Sequence, residues 1–73
     1  MYRLQLKVNE LETNLMYNDY AMALVDFKQC VCDVFEKTDE RDEYMMRITK
    51  DYAIFVVECK EASFKVELTK EVK

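Results

Sequence analysis

Residues 2 to 17 alternate without a slip on either side of one short break, and this mirrored pattern restricts the chain more than any other feature. Tyr2, Leu4, Leu6 and Val8 fall on one side, with Arg3, Gln5 and Lys7 on the other. A period of two is that of a half-buried strand. After Asn9-Glu10 the pattern resumes with Leu11, Thr13, Leu15 and Tyr17. A turn at those two residues sets Val8 against Leu11, Leu6 against Thr13, Leu4 against Leu15 and Tyr2 against Tyr17. On the other face it sets Lys7 opposite Glu12, an attractive cross-strand pair. Asn-Glu is not the Asn-Gly that a tight hairpin prefers, so a slightly longer turn is also compatible with the sequence.

The period then changes. Asn18-Asp19 supplies an N-cap with an acidic group near the positive end of a helix. Tyr20, Ala23, Leu24, Phe27, Val31, Val34 and Phe35 fall within about 120° of arc at helical spacing. We expect a helix to about Lys37, followed by a charged loop over Thr38 to Asp42. Alternation returns with Tyr44, Met46 and Ile48, and with Ala53, Phe55, Val57 and Cys59 after a turn at Lys50-Asp51. A last run, Phe64, Val66 and Leu68, follows a turn near Glu61-Ala62. In these registers Met46 meets Phe55, Tyr44 meets Val57, Val57 meets Val66 and Phe55 meets Leu68, while Glu58 faces Lys65 on the outer side.

The predicted fold is therefore α+β: a two-layer arrangement of an antiparallel sheet with one helix packed on one face, in the order ββαββ with a fifth, C-terminal strand. The helix stripe and the inward strand residues are of comparable length, which leads us to expect that they cover each other. There is no internal repeat and no linker, so residues 1–73 read as a single domain. At this size the core is thin.

Composition removes several function classes. The chain has no glycine and no proline, which excludes phosphate-cradling glycine loops and the dinucleotide fingerprint. It is 51% hydrophobic and 36% charged, too apolar for a disordered chain. Its longest apolar run, Tyr52 to Val57, is far shorter than the roughly 20 residues a membrane helix needs. MYRLQLKV alternates where a signal peptide would run apolar, so we expect no export signal. With three cysteines, an odd number, and no export signal expected, we expect a reducing cytoplasmic compartment with free thiols. The net charge is −4, from 15 acidic and 11 basic residues. Nucleic acid is disfavoured by that field, and a protein with a basic or apolar surface is the better partner.

Cys30-Val31-Cys32 invites a metal or redox reading. On a helix the two thiols differ by about 200°, so they point to nearly opposite sides and neither chelate one ion nor bridge each other. On a strand both would share a face, but the stripe from Tyr20 to Phe35 argues for a helix. A structural zinc site also takes four Cys or His ligands, and only three are present. Cys30 is assigned to the flank of the core, Cys59 to an inward strand position and Cys32 to the outer helix face. No cofactor or metal is expected.

Three surfaces are candidates for binding. The first is acidic: Asp33, Glu36, Asp39, Glu40, Asp42 and Glu43, against Lys37 and Arg41. It is either a solvated helix end or a patch that steers toward a basic groove or imitates DNA phosphates. Negative charge at a helix C-terminus is locally unfavourable, which keeps the functional reading in view. The second is an apolar outward sheet face, Met16, Met45, Tyr52, Ile54 and Val56. A strand register wrong by one residue would exchange the faces and remove it. The third is an outer helix patch of Met22, Val25 and Cys32. Paired carboxylates without histidine or a nucleophile make a poor case for catalysis.

With Tyr2-Arg3-Leu4-Gln5-Leu6-Lys7-Val8, the Asn18-Asp19-Tyr20 helix start and the charged Glu36-to-Glu43 loop, the whole chain resembles small acidic accessory proteins of bacteriophages and mobile elements. That group includes anti-CRISPR and other host-takeover inhibitors. The resemblance implies a non-enzymatic, stoichiometric binder that blocks a host enzyme or defence complex in the bacterial cytoplasm. It assigns no residue roles. The alternative is a structural or assembly protein that homodimerises through its outward apolar sheet face. A small enzyme or a nucleic-acid binder comes third.

Overall fold

The mirrored alternation folds as read. In a computed structural model that describes residues 1–38, 43–60 and 62–71, β1 (Tyr2–Val8) and β2 (Leu11–Tyr17) pair antiparallel, with Val8 opposite Leu11 and Tyr2 opposite Tyr17. The turn is a tight two-residue one. Asn9 adopts the left-handed conformation at φ 55°, which asparagine tolerates better than most residues carrying a Cβ. Its backbone N–H donates to the Ser63 carbonyl at 2.9 Å, and its Oδ1 accepts from the Ser63 N–H at 3.0 Å. Asn9 thus makes the first turn and ties it to the last strand.

Helix α1 (Tyr20–Phe35) starts at Asp19, whose side chain accepts from the Ala21 N–H. Ala23, Phe27, Val31 and Val34 form its buried stripe. The helix stops at Phe35, short of Lys37. Lys37 and Thr38 donate to the Val34 and Phe35 carbonyls, which tightens the last turn. Three strands follow: β3 (Tyr44–Ile48), β4 (Ala53–Glu58) and β5 (Ser63–Lys70).

Among the described residues the sheet has five strands in the order β2-β1-β5-β4-β3, all neighbours antiparallel. The terminal strands of the chain, β1 and β5, lie side by side in the middle. The fold is α+β with the helix on one face of the sheet. The core is Leu4 from β1, the helix stripe, and Ala53, Phe55, Val57, Phe64, Val66 and Leu68 from β4 and β5. Those two strands alternate buried and half-buried without exception from Ala53 to Val57 and from Phe64 to Thr69.

The β3–β4 register is the expected one, with Met46 opposite Phe55 and Tyr44 opposite Val57. The β4–β5 register is not. Phe55 faces Val66, Val57 faces Phe64 and Glu58 faces Ser63, so the expected Val57–Val66, Phe55–Leu68 and Glu58–Lys65 pairs do not form. The Cys59 N–H donates to the Ala62 carbonyl at 2.9 Å, which moves the turn one residue back from Glu61-Ala62. Moving a hairpin centre by one shifts pairing by two, so every side chain keeps its face. That is why the core prediction survives the register error.

The larger departure is in coverage. The helix lies over β1 and β5 and reaches β2 and β4. Five strands about 4.8 Å apart span about 19 Å between the edge strands, and one helix is about 10 Å wide. Residues expected inward on the edge strands are accordingly exposed: Leu11, Thr13 and Leu15 on β2, and Tyr44, Met46 and Ile48 on β3. The expectation that helix and sheet cover each other matched their lengths and overlooked the sheet's width. Phe35, counted in the helix stripe, is 38% exposed because it sits at the margin of that coverage.

Candidate functional site

The three predicted surfaces are not alike in the structure. The acidic patch is represented by Asp33, Glu36 and Glu43, all exposed. Asp39, Glu40 and Asp42 lie outside the described residues. Asp33 accepts from the Gln29 amide at 3.1 Å, and the last turn of the helix carries no basic residue to offset these charges.

The predicted outward sheet face divides. Met45, Tyr52, Ile54 and Val56 belong to β3, β4 and the turn between them, whereas Met16 lies on β2 at the opposite edge, paired with Arg3. Between them β1 and β5 present Arg3, Gln5, Lys7, Lys65 and Glu67 on that face. The five residues are therefore not one patch. The Tyr52 hydroxyl donates to Glu67 Oε2 at 2.8 Å. That bond, then burial, then the charge of Glu67 raise the Tyr52 phenol above its ordinary range. On the outer helix face Met22 and Val25 are 65% and 67% exposed, and Cys32 is exposed about two turns further along. Cys30 is half-buried against the core, and burial raises its thiol pKa. Among the described residues, no three Cys, Asp or Glu side chains come together to hold a metal.

The residues expected inward on β3 make an apolar surface at that edge. On the helix side of β3, Tyr44, Met46 and Ile48 are 55%, 45% and 42% exposed; on the other side Met45 is 51% exposed. Phe35 leans from the helix end onto this strand, its ring centroid 5.0 Å from Tyr44 and 5.1 Å from Phe55, both edge-on. Met45, Met46, Arg47, Tyr52 and Ile54 line a shallow groove of 440 Å³ beside it. Edge strands in soluble proteins usually carry charge or bend away. β3 carries apolar residues on both faces and one charge, Arg47.

Backbone geometry completes the site. Thr49 N–H donates to the Tyr52 carbonyl at 2.7 Å, so 49 and 52 are a hydrogen-bonded pair. Bonded pairs alternate along an antiparallel ladder. Met45 and Arg47 therefore turn their N–H and C=O groups to β4, and Tyr44, Met46 and Ile48 turn theirs to the open edge. The turn that positions β3 is anchored to the helix start, because the Tyr20 hydroxyl donates to the Thr49 carbonyl at 2.7 Å.

The other edge mixes charge with exposed apolar side chains, Leu11, Leu15 and Met16. On β2 the outward face carries Glu12, which accepts from the amides of Gln5 and Asn14. These bonds, Gln5 first, lower the Glu12 carboxyl pKa and favour its charged form. The residues whose backbone groups face this edge are Glu12, Asn14 and Met16, so it carries a charge at an open position where β3 carries none. On β3 the alternation assigns Tyr44, Met46 and Ile48 to the core and Met45 to the outward face, and it cannot say which strand ends up at an edge.

No helix among the described residues is long and apolar enough to cross a membrane. No protein-family model, curated protein or solved structure matches this chain.

Proposed function

We propose that this chain is a non-enzymatic protein-binding module whose principal contact is β3, offered by its open backbone edge and by apolar side chains on both faces. The observation that carries this reading is the combined exposure of Tyr44, Met45, Met46 and Ile48 on a strand whose alternate N–H and C=O groups point outward. Strand addition would supply main-chain hydrogen bonds, and the flanking groove and apolar side chains would supply selectivity. The inhibitor of a host enzyme or defence complex, which the resemblance to phage accessory proteins implies, is the specialised form of this reading. In that form the acidic helix end with Asp33, Glu36 and Glu43 would steer the encounter with a basic surface.

The test is affinity capture from a bacterial lysate by the wild-type chain, by Met46→Lys and by a triple Asp33→Asn, Glu36→Gln, Glu43→Gln variant. The reading expects a defined protein in stoichiometric amount that Met46→Lys loses at any salt. The triple variant should lose it mainly at low salt, where steering matters. Capture that is indifferent to Met46→Lys would overturn the assignment to β3.

A further inference from the structure

We infer that the partner which fits the β3 edge is a second copy of this chain, joined antiparallel across a two-fold axis at Met46 to make one continuous sheet. The inference rests on the reading of β3 as the binding edge and names what occupies it.

The β3 edge is self-complementary. The open N–H and C=O groups belong to Tyr44, Met46 and Ile48. Antiparallel self-pairing that uses all of them has a single register: Met46 opposite its symmetry mate, Tyr44 opposite Ile48 of the other copy, and Ile48 opposite its Tyr44. Three bonded pairs of two hydrogen bonds each give about six across the seam. The side chains suit that register. Tyr44 and Ile48 form an aromatic and β-branched pair on the helix side, the combination favoured across strands. Arg47, the one charge on β3, falls opposite Met45, so no like charges meet and its guanidinium can reach past the thioether to water. Just beyond the strand, Glu43 lies opposite Thr49 and next to Lys50 of the other copy, a charge match repeated at both ends by symmetry.

The area agrees with a reversible dimer. Tyr44, Met45, Met46, Ile48 and Phe35 are between 38% and 55% exposed. At roughly 200 Å² for each large side chain they offer about 450 Å² per copy, or about 900 Å² in total before backbone is counted. That is below the roughly 1,200 Å² of standard specific interfaces and in the range of weak, transient contacts. On the helix side the pairing gives Tyr44, Met46 and Ile48 lateral apolar neighbours from the other copy. At β2 the open positions are Glu12, Asn14 and Met16 where β3 has Tyr44, Met46 and Ile48, so the two edges are not equivalent.

The register yields its own experiment. Position 46 faces itself, so Met46→Lys places like charges directly opposite each other, and so does Met46→Glu. Sedimentation of the full chain from about 1 to about 500 µM should show a monomer–dimer equilibrium for the wild type, weakened about tenfold or more in each variant. Mixing the two variants in equal amounts should restore a dimer containing one of each. Circular dichroism establishes that each variant is folded, as expected for a side chain already 45% exposed. A wild-type chain that stays monomeric throughout, or variants that dimerise as well as the wild type, overturns the inference. So does a mixture that fails to pair. A monomeric wild type that still captures a lysate protein through β3 would leave the binding reading standing without this partner; loss of both would end both.

Discussion

Met46 and Phe55 face each other in the β3–β4 ladder, yet Phe55 is completely buried and Met46 is 45% exposed. One strand spacing separates a core position from a surface one. The helix ends its coverage at β4, and the Phe35 ring carries the boundary between the two. This step in burial is the origin of the apolar edge.

It predicts a steep contrast in stability. Phe55→Ala should cost about 3–5 kcal/mol, a large share of what a domain of this size has. Met46→Ala should cost less than about 1 kcal/mol in the monomer. Urea unfolding at low protein concentration measures both, and similar midpoints for the two variants would contradict the assigned coverage.

Asn9 should matter more than its exposure suggests. Asn9→Ala keeps the turn length but puts alanine at φ 55° and removes the bond to the Ser63 N–H. We expect a loss of about 1–2 kcal/mol. Asn9→Gly removes the same bond while easing the backbone, so it should lose less. Equal losses would place the whole effect in the side-chain bond.

The strand faces and the helix were legible in the sequence because periodicity reports them directly. The Cys30 and Cys32 thiols part company on α1 as a helical spacing requires, and the first hairpin register follows from its mirrored pattern. Two things were not legible. The β4–β5 turn was misplaced by one residue, because Lys60, Glu61 and Ala62 carry no glycine or proline to mark its centre. The exposure of Tyr44, Met46 and Ile48 was hidden because alternation gives a strand's faces and says nothing of its place in the sheet. Strand order depends on β1 meeting β5, a contact between the two ends of the chain. The same order sends Met16 to the far edge and breaks up the predicted outward face.

The cysteines should differ in reactivity. Cys32 is exposed, whereas Cys30 is half-buried with its thiol pKa raised by burial and then by Asp33 and Asp26. A maleimide at neutral pH should modify Cys32 well before Cys30, since the thiolate is the reacting form. Peptide mass analysis over time reads the order, and first modification at Cys30 would contradict the helix orientation.

Alkaline pH should destabilise the fold through Tyr17. Its hydroxyl donates to Asp26 Oδ2, and that bond, with burial and the Asp26 charge, pushes its pKa up to about 12. In the unfolded chain it titrates near 10. The folded state holds the proton more tightly, so this contribution is complete below about pH 10 and is lost as pH rises toward about 12. Tyr17→Phe should therefore show a smaller fall in urea midpoint between about pH 9 and about pH 11 than the wild type. An identical fall in both would mean that the Tyr17–Asp26 bond does not couple to folding.

If β3 is an open edge that a partner strand closes, residue-resolved amide exchange shows it most directly. In dilute chain, Met45 and Arg47, bonded to β4, should be protected, while Tyr44, Met46 and Ile48 exchange quickly. On concentration, or with a captured partner, those three should become protected while Glu12, Asn14 and Met16 at the other edge stay fast. Even protection along β3 in dilute chain, or no gain at Tyr44, Met46 and Ile48 in any complex, would contradict it.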